Sequence, residues 1–357
     1  MIRLAIIFLA LLSALAQAKT TSYHALANHY LKQLADQQSG IGARVAGTAK
    51  EQQTADFISK TLNNIGYLVT EQSFNFDNDK VSKNLIVNSN PKLKQTIILA
   101  AHYDSTGAKE GSLGATDNGA GVAAMLAIAK AIHDQPPQDY NIRFIAFGAE
   151  EQGLKGSNYY VQQLKNAADE IGQISAMINF DTIAGGDFVY VHSAHTKPYK
   201  CSDAQDSYNA DTQIRAALLN ASTKVLGSKK QYIIHPEYPG YPAGVTGAWS
   251  DHAPFACAGI PIAYVESTNF TINGKDGFDG YSQSTNPALW DCYNSKTQSA
   301  CDRETESQWG KIWHTQYDNL DKLEQLFPSR VSQQVTDNVN VLIELLSHAA
   351  TYFAARK

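Results

Sequence analysis

Apolar positions along this chain follow two alternating rhythms. Short continuous apolar runs, QTIILAA, NIRFIAF and SAMINF, are separated by longer stretches with helical periodicity. Continuous runs of this length read as strands buried on both faces. The segments between and after them, 119–133 and 154–166, read as helices. Upstream, residues 21–36 (Leu26, Tyr30, Leu31, Leu34) and about 50–65 (Ala55, Phe57, Ile58, Leu62) predict amphipathic helices. Thr48 is placed to cap the second and Gly66 to stop it. Further strands are expected at 67–75, 84–88 and 260–265, and further helices at 211–226 and 327–350. Residues 268–311 have little periodicity and are rich in Gly, Asn, Ser and Asp, so they are expected to form a long surface excursion. The alternation of strands and helices predicts an α/β three-layer sandwich with a mostly parallel central sheet, built as one domain over residues 19–357.

Composition narrows the class. The chain has 357 residues and a formal net charge of −5, with no basic stripe to serve nucleic acid. At the N-terminus, Arg3, the apolar run LAIIFLALLSALA and Ala16-Gln17-Ala18 form the pattern of a secretory signal peptide, residues 1–18, cut before Lys19. The alternative is an uncleaved anchor, but the run is shorter than the roughly 20 residues of a full span. Cleavage predicts a periplasmic or secreted protein with no membrane attachment. In an oxidising compartment the four cysteines are expected to pair, Cys292 with Cys301 first and Cys201 with Cys257 second.

Chemistry concentrates where the predicted strands end, which is where open α/β sheets bind ligands. QTIILAA runs into His102 and Asp104, NIRFIAF precedes Glu150 and Glu151, and SAMINF precedes Asp181. Asp117 starts the next helix, where capping alone also explains it. Gly119 and Gly121 beside it are consistent with a ligand approaching closely. Two zinc ions require anions between and around them; Asp117, Glu151 and Asp181 with one hydroxide balance their charge, and His102 and His314 add nitrogen ligands. Gly148 and Gly153 suggest that the strand has ended at Glu150-Glu151, so both side chains can reach one site: one binding metal, the other taking a proton from water. The alternative is a solvated acidic loop. Asp104 is placed to accept the second imidazole N–H of His102 and fix its tautomer, or else belongs to a turn.

These residues sit in segments that resemble the M28 family of zinc aminopeptidases: AAHYDS, GATDNGAG, AFGAEEQGLKGS, INFDTIAG, WSDHAPF and WHTQYDNLD, in that order. The resemblance covers nearly all of the mature chain. It implies a zinc-dependent exopeptidase-like fold, with His102 and Asp181 on one Zn2+, Glu151 and His314 on the other, Asp117 bridging both and Glu150 as general base. The implied substrates are peptide or protein N-termini. YVESTNFTINGKDG together with WHTQYDNLD is similar to the branch containing the alkaline phosphatase isozyme conversion aminopeptidase, which implies a preference for basic first residues. Glu237, Glu266, Asp276 and Asp279 are the candidate acids for that pocket. The sequence departs from several two-zinc members at Gly247, where they carry an oxyanion-stabilising Tyr; Tyr238, Tyr241 and the zinc itself are the candidate substitutes. His252 is read as structural or pocket-lining, and His192, His195 and His235 as ordinary surface or loop residues.

Two other functions fit the same scaffold. A glutaminyl cyclase-like aminoacyltransferase would use a single zinc on Asp117, Glu151 and His314. The DNGAG and AEE settings look more like the peptidases. A non-catalytic ectodomain would be expected to lack a ligand, and none is missing from the sequence.

Overall fold

The computed structural model describes residues 22–77, 79–107, 111–201, 207–274, 277–278 and 280–353. The predicted signal peptide, Asp276 and Asp279 lie outside the described residues.

The centre is an eight-stranded sheet. Its strands are β1 (Thr70–Phe76), β2 (Lys80–Asn88), β3 (Thr96–His102), β4 (Asn141–Phe147), β5 (Ile174–Phe180), β6 (Phe188–Ala194), β7 (Val245–Thr246) and β8 (Ile262–Thr268). They lie in the order β1-β2-β4-β3-β5-β8-β6-β7. The inner strands β4, β3, β5 and β8 are parallel, while β1, β2 and β6 add antiparallel pairings toward the edges. The apolar runs are these inner strands, and every residue of β3 and β5 is buried.

Two-residue alternation divides the sheet between two helical layers. Ile97, Leu99 and Ala101 of β3 join a core with α1 (22–35), α2 (Ala49–Ile65), α3 (Ala120–Asp134), α5 (Gln213–Leu226) and α8 (Arg330–Ser347). Ile98 and Ala100 join a second core with α4 (Lys155–Asn166) and α6 (His252–Cys257). Thr48 caps α2 by accepting from the Glu51 N–H, and Gly66 ends it in the left-handed region at φ 116°.

Three expectations change. The helix expected over 327–350 is present as α8 but starts only at Arg330, after Pro328 and Ser329 at φ 63°, and a separate short helix, α7 (Leu320–Leu326), precedes it. Strand β6, which lies between β8 and the short edge strand β7, has no counterpart among the expected strands. Residues 268–311 are not simply surface. They carry two small β-ribbons, and Ser282, Gln283, Ser284, Leu289 and Trp290 are buried. Asp187 anchors this segment, accepting from Asn269 Nδ2 and Ser284 Oγ (both 2.7 Å) and from the Thr285 N–H (2.8 Å).

Both expected disulfides are present: Cys201–Cys257 and Cys292–Cys301, with Cα separations of 5.6 and 5.5 Å. Among the described residues no helix is long and apolar enough to cross a membrane.

Candidate active site

The C-terminal ends of β3, β4 and β5 open into one cleft of about 590 Å³. His102 is the last residue of β3, Glu150 and Glu151 follow β4 in a turn, and Asp181 directly follows β5. Asp117 lies in an irregular helical turn, Ala115–Gly119, which leads into α3. His314 comes from the loop before α7, far along the chain. Non-glycine residues beside these side chains adopt positive φ: Ala149 at 54°, Thr182 at 50° and His314 itself at 57°. Such backbone persists where the surroundings over-determine it, and it concentrates at working sites.

The side chains form two triads that share Asp117, namely His102–Asp117–Asp181 and Asp117–Glu151–His314. Within each, one ligand atom per residue lies within 4.8 Å of the others. His102 Nε2 is 3.2 Å from Asp117 Oδ1 and 3.4 Å from Asp181 Oδ1. His314 Nε2 is 3.1 Å from Asp117 Oδ2 and 2.9 Å from Glu151 Oε2. Asp117 thus presents one oxygen to each triad. Glu150 stands apart, its Oε2 4.0 Å from His102 Nε2, and it lines the cleft.

Supporting contacts hold the carboxylates in place. Ser250 Oγ donates to Asp181 Oδ2 at 2.7 Å and accepts from Asn179 Nδ2 at 2.7 Å. The Thr106 N–H donates to Glu151 Oε1 at 3.0 Å. Asp104 accepts the N–H of Glu150 on one carboxylate oxygen (2.9 Å) and that of Glu151 on the other (3.1 Å). The same carboxylate stands 3.6 Å from His102 Nδ1, and the Asp104 carbonyl is closer to that nitrogen, at 3.2 Å. Its direct hydrogen bonds therefore go to the Glu150-Glu151 turn.

Packing carboxylates into a buried cleft shifts the ionisation of Asp117, Glu150 and Glu151. Burial, reinforced by Asp251, Asp181 and Glu151, pushes Glu150 well above the usual carboxylate range. Burial and Asp117 push Glu151 up to about 7. Burial opposes ionisation of Asp117 as well, but hydrogen bonds from His102 and His314 outweigh it and hold that carboxyl low. Burial works against protonation of His314, yet Asp117 and Glu151 raise it to about 10. His102 is likewise raised, against its burial, by Glu150 and Asp181. The acids around His102 and His314 thus favour positive charge at this site. Mixed N/O donors of this kind fit zinc.

The remaining candidates separate clearly. Glu266 lines the cleft with Tyr238, Tyr241, Tyr264, Trp249 and Phe270, whereas Glu237 is exposed and is not among the lining residues. Gly247 has a steric reason: a Cβ there would meet the Trp249 ring at 2.1 Å. Gly121 makes room for the Asn118 side chain, which a Cβ would meet at 2.1 Å, rather than for a ligand. Asn118 Nδ2 in turn donates to Phe180 O at 2.7 Å and ties the Asp117 turn to the end of β5.

His195 and His235 lie in loops as expected and His192 lies in β6, but the expectation that these histidines are at the surface is corrected: all three are buried. His192 stacks on His235 with 5.3 Å between ring centroids, and its Nε2 is 2.8 Å from Glu266 Oε1. Tyr190, Tyr264 and Phe270 enclose the pair. His252 is buried under Tyr264, with Nε2 2.8 Å from Gly247 O, and burial lowers it to about 4. The neighbour of His252 also belongs to this buried cluster of charge. Asp251 is fully buried, and burial, with Asp104 and Asp181 nearby, raises it to about 7 against the opposing pull of His102. An acid beside the expected pocket histidine in WSDHAPF was the available signal.

An open α/β sheet whose strand ends gather two carboxylate–imidazole triads around one cleft has the layout of a metal-dependent hydrolase. The chain belongs to peptidase family M28, whose model matches residues 84–339, and with that family to the metallo-aminopeptidase class of hydrolases. It is similar to the alkaline phosphatase isozyme conversion protein of Escherichia coli (strain K12), 26% identical over 331 residues, covering 86% of each chain. Its fold is similar to that of BSAP, a zinc aminopeptidase from Bacillus subtilis, with TM-score 0.60 and 19% identity over 89% of this chain and 93% of that one. It is equally similar to the glutaminyl cyclase of Fimbriiglobus ruber, with TM-score 0.60 and 20% identity over 91% and 94% of the two chains.

Proposed function

We propose that this chain is an exported two-zinc aminopeptidase that removes the first residue from peptides or proteins, with Glu150 as its general base. The observation that carries the reading is the pair of triads sharing Asp117, with Glu150 in the same cleft but belonging to neither. His102, Asp117 and Asp181 would hold one zinc, and Asp117, Glu151 and His314 the other. When bound, zinc supplies Lewis acidity and lowers the pKa of water, the two services that amide hydrolysis at neutral pH needs.

The protein's own groups do the rest. Glu150, raised by burial and by neighbouring acids, is suited to accept a proton from the attacking water and pass it to the departing amine. Asp104 fixes the backbone from which both Glu150 and Glu151 project. Tyr238, Tyr264, Trp249 and Phe270 wall the cleft for the first side chain, and Glu266 adds a carboxylate among these aromatic faces. An aromatic pocket with one acid suits a cationic side chain, which supports a preference for basic first residues. The two disulfides support an oxidising compartment and therefore export.

A single-zinc cyclase reading needs only Asp117, Glu151 and His314. The equally tight grouping of His102, Asp117 and Asp181 supports two ions instead. Glu150→Ala tests the proposal. Turnover of aminoacyl substrates should vanish while bound zinc stays near the wild-type level; full activity in that variant would remove Glu150 from the mechanism.

A further inference from the structure

Arg44 is fully buried in the segment before α2. It carries a charge, so its burial has to be compensated. Its guanidinium donates to four backbone carbonyls: Tyr103 O (2.8 Å), Gly42 O (3.0 Å), Leu113 O (3.0 Å) and Gly114 O (2.8 Å). Tyr103 directly follows His102. Leu113 and Gly114 lead into the turn that carries Asp117. The Arg44 backbone also pairs with Ser105, its N–H donating to Ser105 Oγ at 2.9 Å and its carbonyl accepting from the Ser105 N–H at 3.2 Å. The next residue, Thr106, donates its N–H to Glu151. One side chain and its own backbone therefore reach the loops that carry or contact His102, Asp117 and Glu151.

Asp318 accepts from Thr116 N (2.6 Å), Thr116 Oγ1 (2.8 Å) and Ser112 Oγ (2.9 Å), and it follows His314 in the same loop. The 112–116 segment is thus clamped between Arg44 and Asp318. Gly114, at φ 64°, belongs to the same fit: a Cβ there would meet Arg44 Nη2 at 2.6 Å and Ser105 Cβ at 2.6 Å.

We propose that Arg44 is a positioning residue for the metal centre, setting the spacing of the two triads through its fork of carbonyl bonds rather than through its charge alone. The inference rests on the two-zinc reading above. A guanidinium offers five donors in a fixed plane, whereas an ammonium offers three on a flexible stem and cannot reproduce the fork. Lysine keeps the charge and loses the geometry, so Arg44→Lys separates the two roles.

The test is zinc affinity by competition with a chromophoric chelator, alongside the melting temperature of the zinc-stripped chains. Arg44→Lys should weaken zinc binding by about 10- to 100-fold, the range seen when groups that orient metal ligands are changed. Ser105→Ala, which removes the acceptor of the Arg44 N–H and so loosens the backbone from which the fork projects, should weaken it by a smaller factor and serves in place of Arg44→Lys if that variant does not fold. Zinc affinity within about twofold of wild type, with only the melting temperature lowered, assigns Arg44 a purely structural role and overturns the inference. A wild-type chain that binds no zinc overturns the metal reading itself, and this inference with it.

Discussion

Asp104→Asn is a small change with a calculable effect. The Asp104 carboxylate is fully buried and accepts the Glu150 N–H at 2.9 Å and the Glu151 N–H at 3.1 Å, one on each oxygen. Asparagine keeps one acceptor oxygen and turns an NH2 group toward the other N–H. One charge-assisted hydrogen bond is lost, worth about 1.5–3 kcal/mol, and a buried N–H is left without an acceptor at a further cost of about 1–3 kcal/mol. The turn also holds Ala149 at φ 54°, a conformation that needs its restraints. The expected destabilisation is roughly 2.5–6 kcal/mol, which at about 2.1 cal/mol/K of unfolding entropy per residue lowers the melting temperature of a chain of this length by about 3–8 °C. Glu150 and Glu151 share this support, so kcat/KM on a fluorogenic aminoacyl substrate should fall by about 10- to 100-fold. Calorimetry and steady-state kinetics on purified wild type and variant make the comparison. A variant within about twofold in kcat/KM and about 1 °C in melting temperature would refute the reasoning, because the two bonds would then contribute nothing.

Two further outcomes follow from other parts of the molecule. Burial raises Glu51 from 4.5 to about 7 despite hydrogen bonds from Ser82 Oγ and the Gly47 N–H. The folded state therefore binds a proton more tightly than the unfolded chain between these values, so this group's contribution to stability falls as pH rises from about 4.5 to 7, by roughly 3 kcal/mol in all. Urea midpoints across that window should show a shallower pH dependence in Glu51→Gln, and identical slopes would reject the assignment. For the pocket, Glu266→Gln should reduce the preference for Arg or Lys over Leu substrates by about tenfold, the equivalent of one charge-assisted hydrogen bond. An unchanged ratio, or a clear Leu preference in the wild type, would reject Glu266 as the recognition acid.

The fold was largely legible because its inner strands are apolar on both faces. QTIILAA, NIRFIAF and SAMINF have nowhere to lie but the middle of a covered sheet, and they became β3, β4 and β5. β6 escaped notice because FVYVHSA mixes apolar and polar residues and places His192 in the interior. The strand-end rule pointed at His102, Glu150, Glu151 and Asp181 from pattern alone. Asp117 and His314 had competing explanations as a helix cap and a loop histidine, and only the fold brings them within 3.1 Å of each other. Arg44, Asp251 and Asp318 were not legible. Each acts through burial or backbone contacts that join segments far apart in sequence, and no local spacing encodes such contacts. The buried histidines were misread for the same reason, since the rings around His192 and His235 include Tyr264 and Phe270, which come from a stretch of chain remote from both.

The zinc content of the purified chain, measured by elemental analysis after dialysis against metal-free buffer, bears most directly on the central claim. The shared carboxylate of Asp117 and the two triads built on it predict two zinc ions per chain. One zinc per chain, accompanied by cyclisation of N-terminal glutamine, would contradict the account and favour the single-metal transferase.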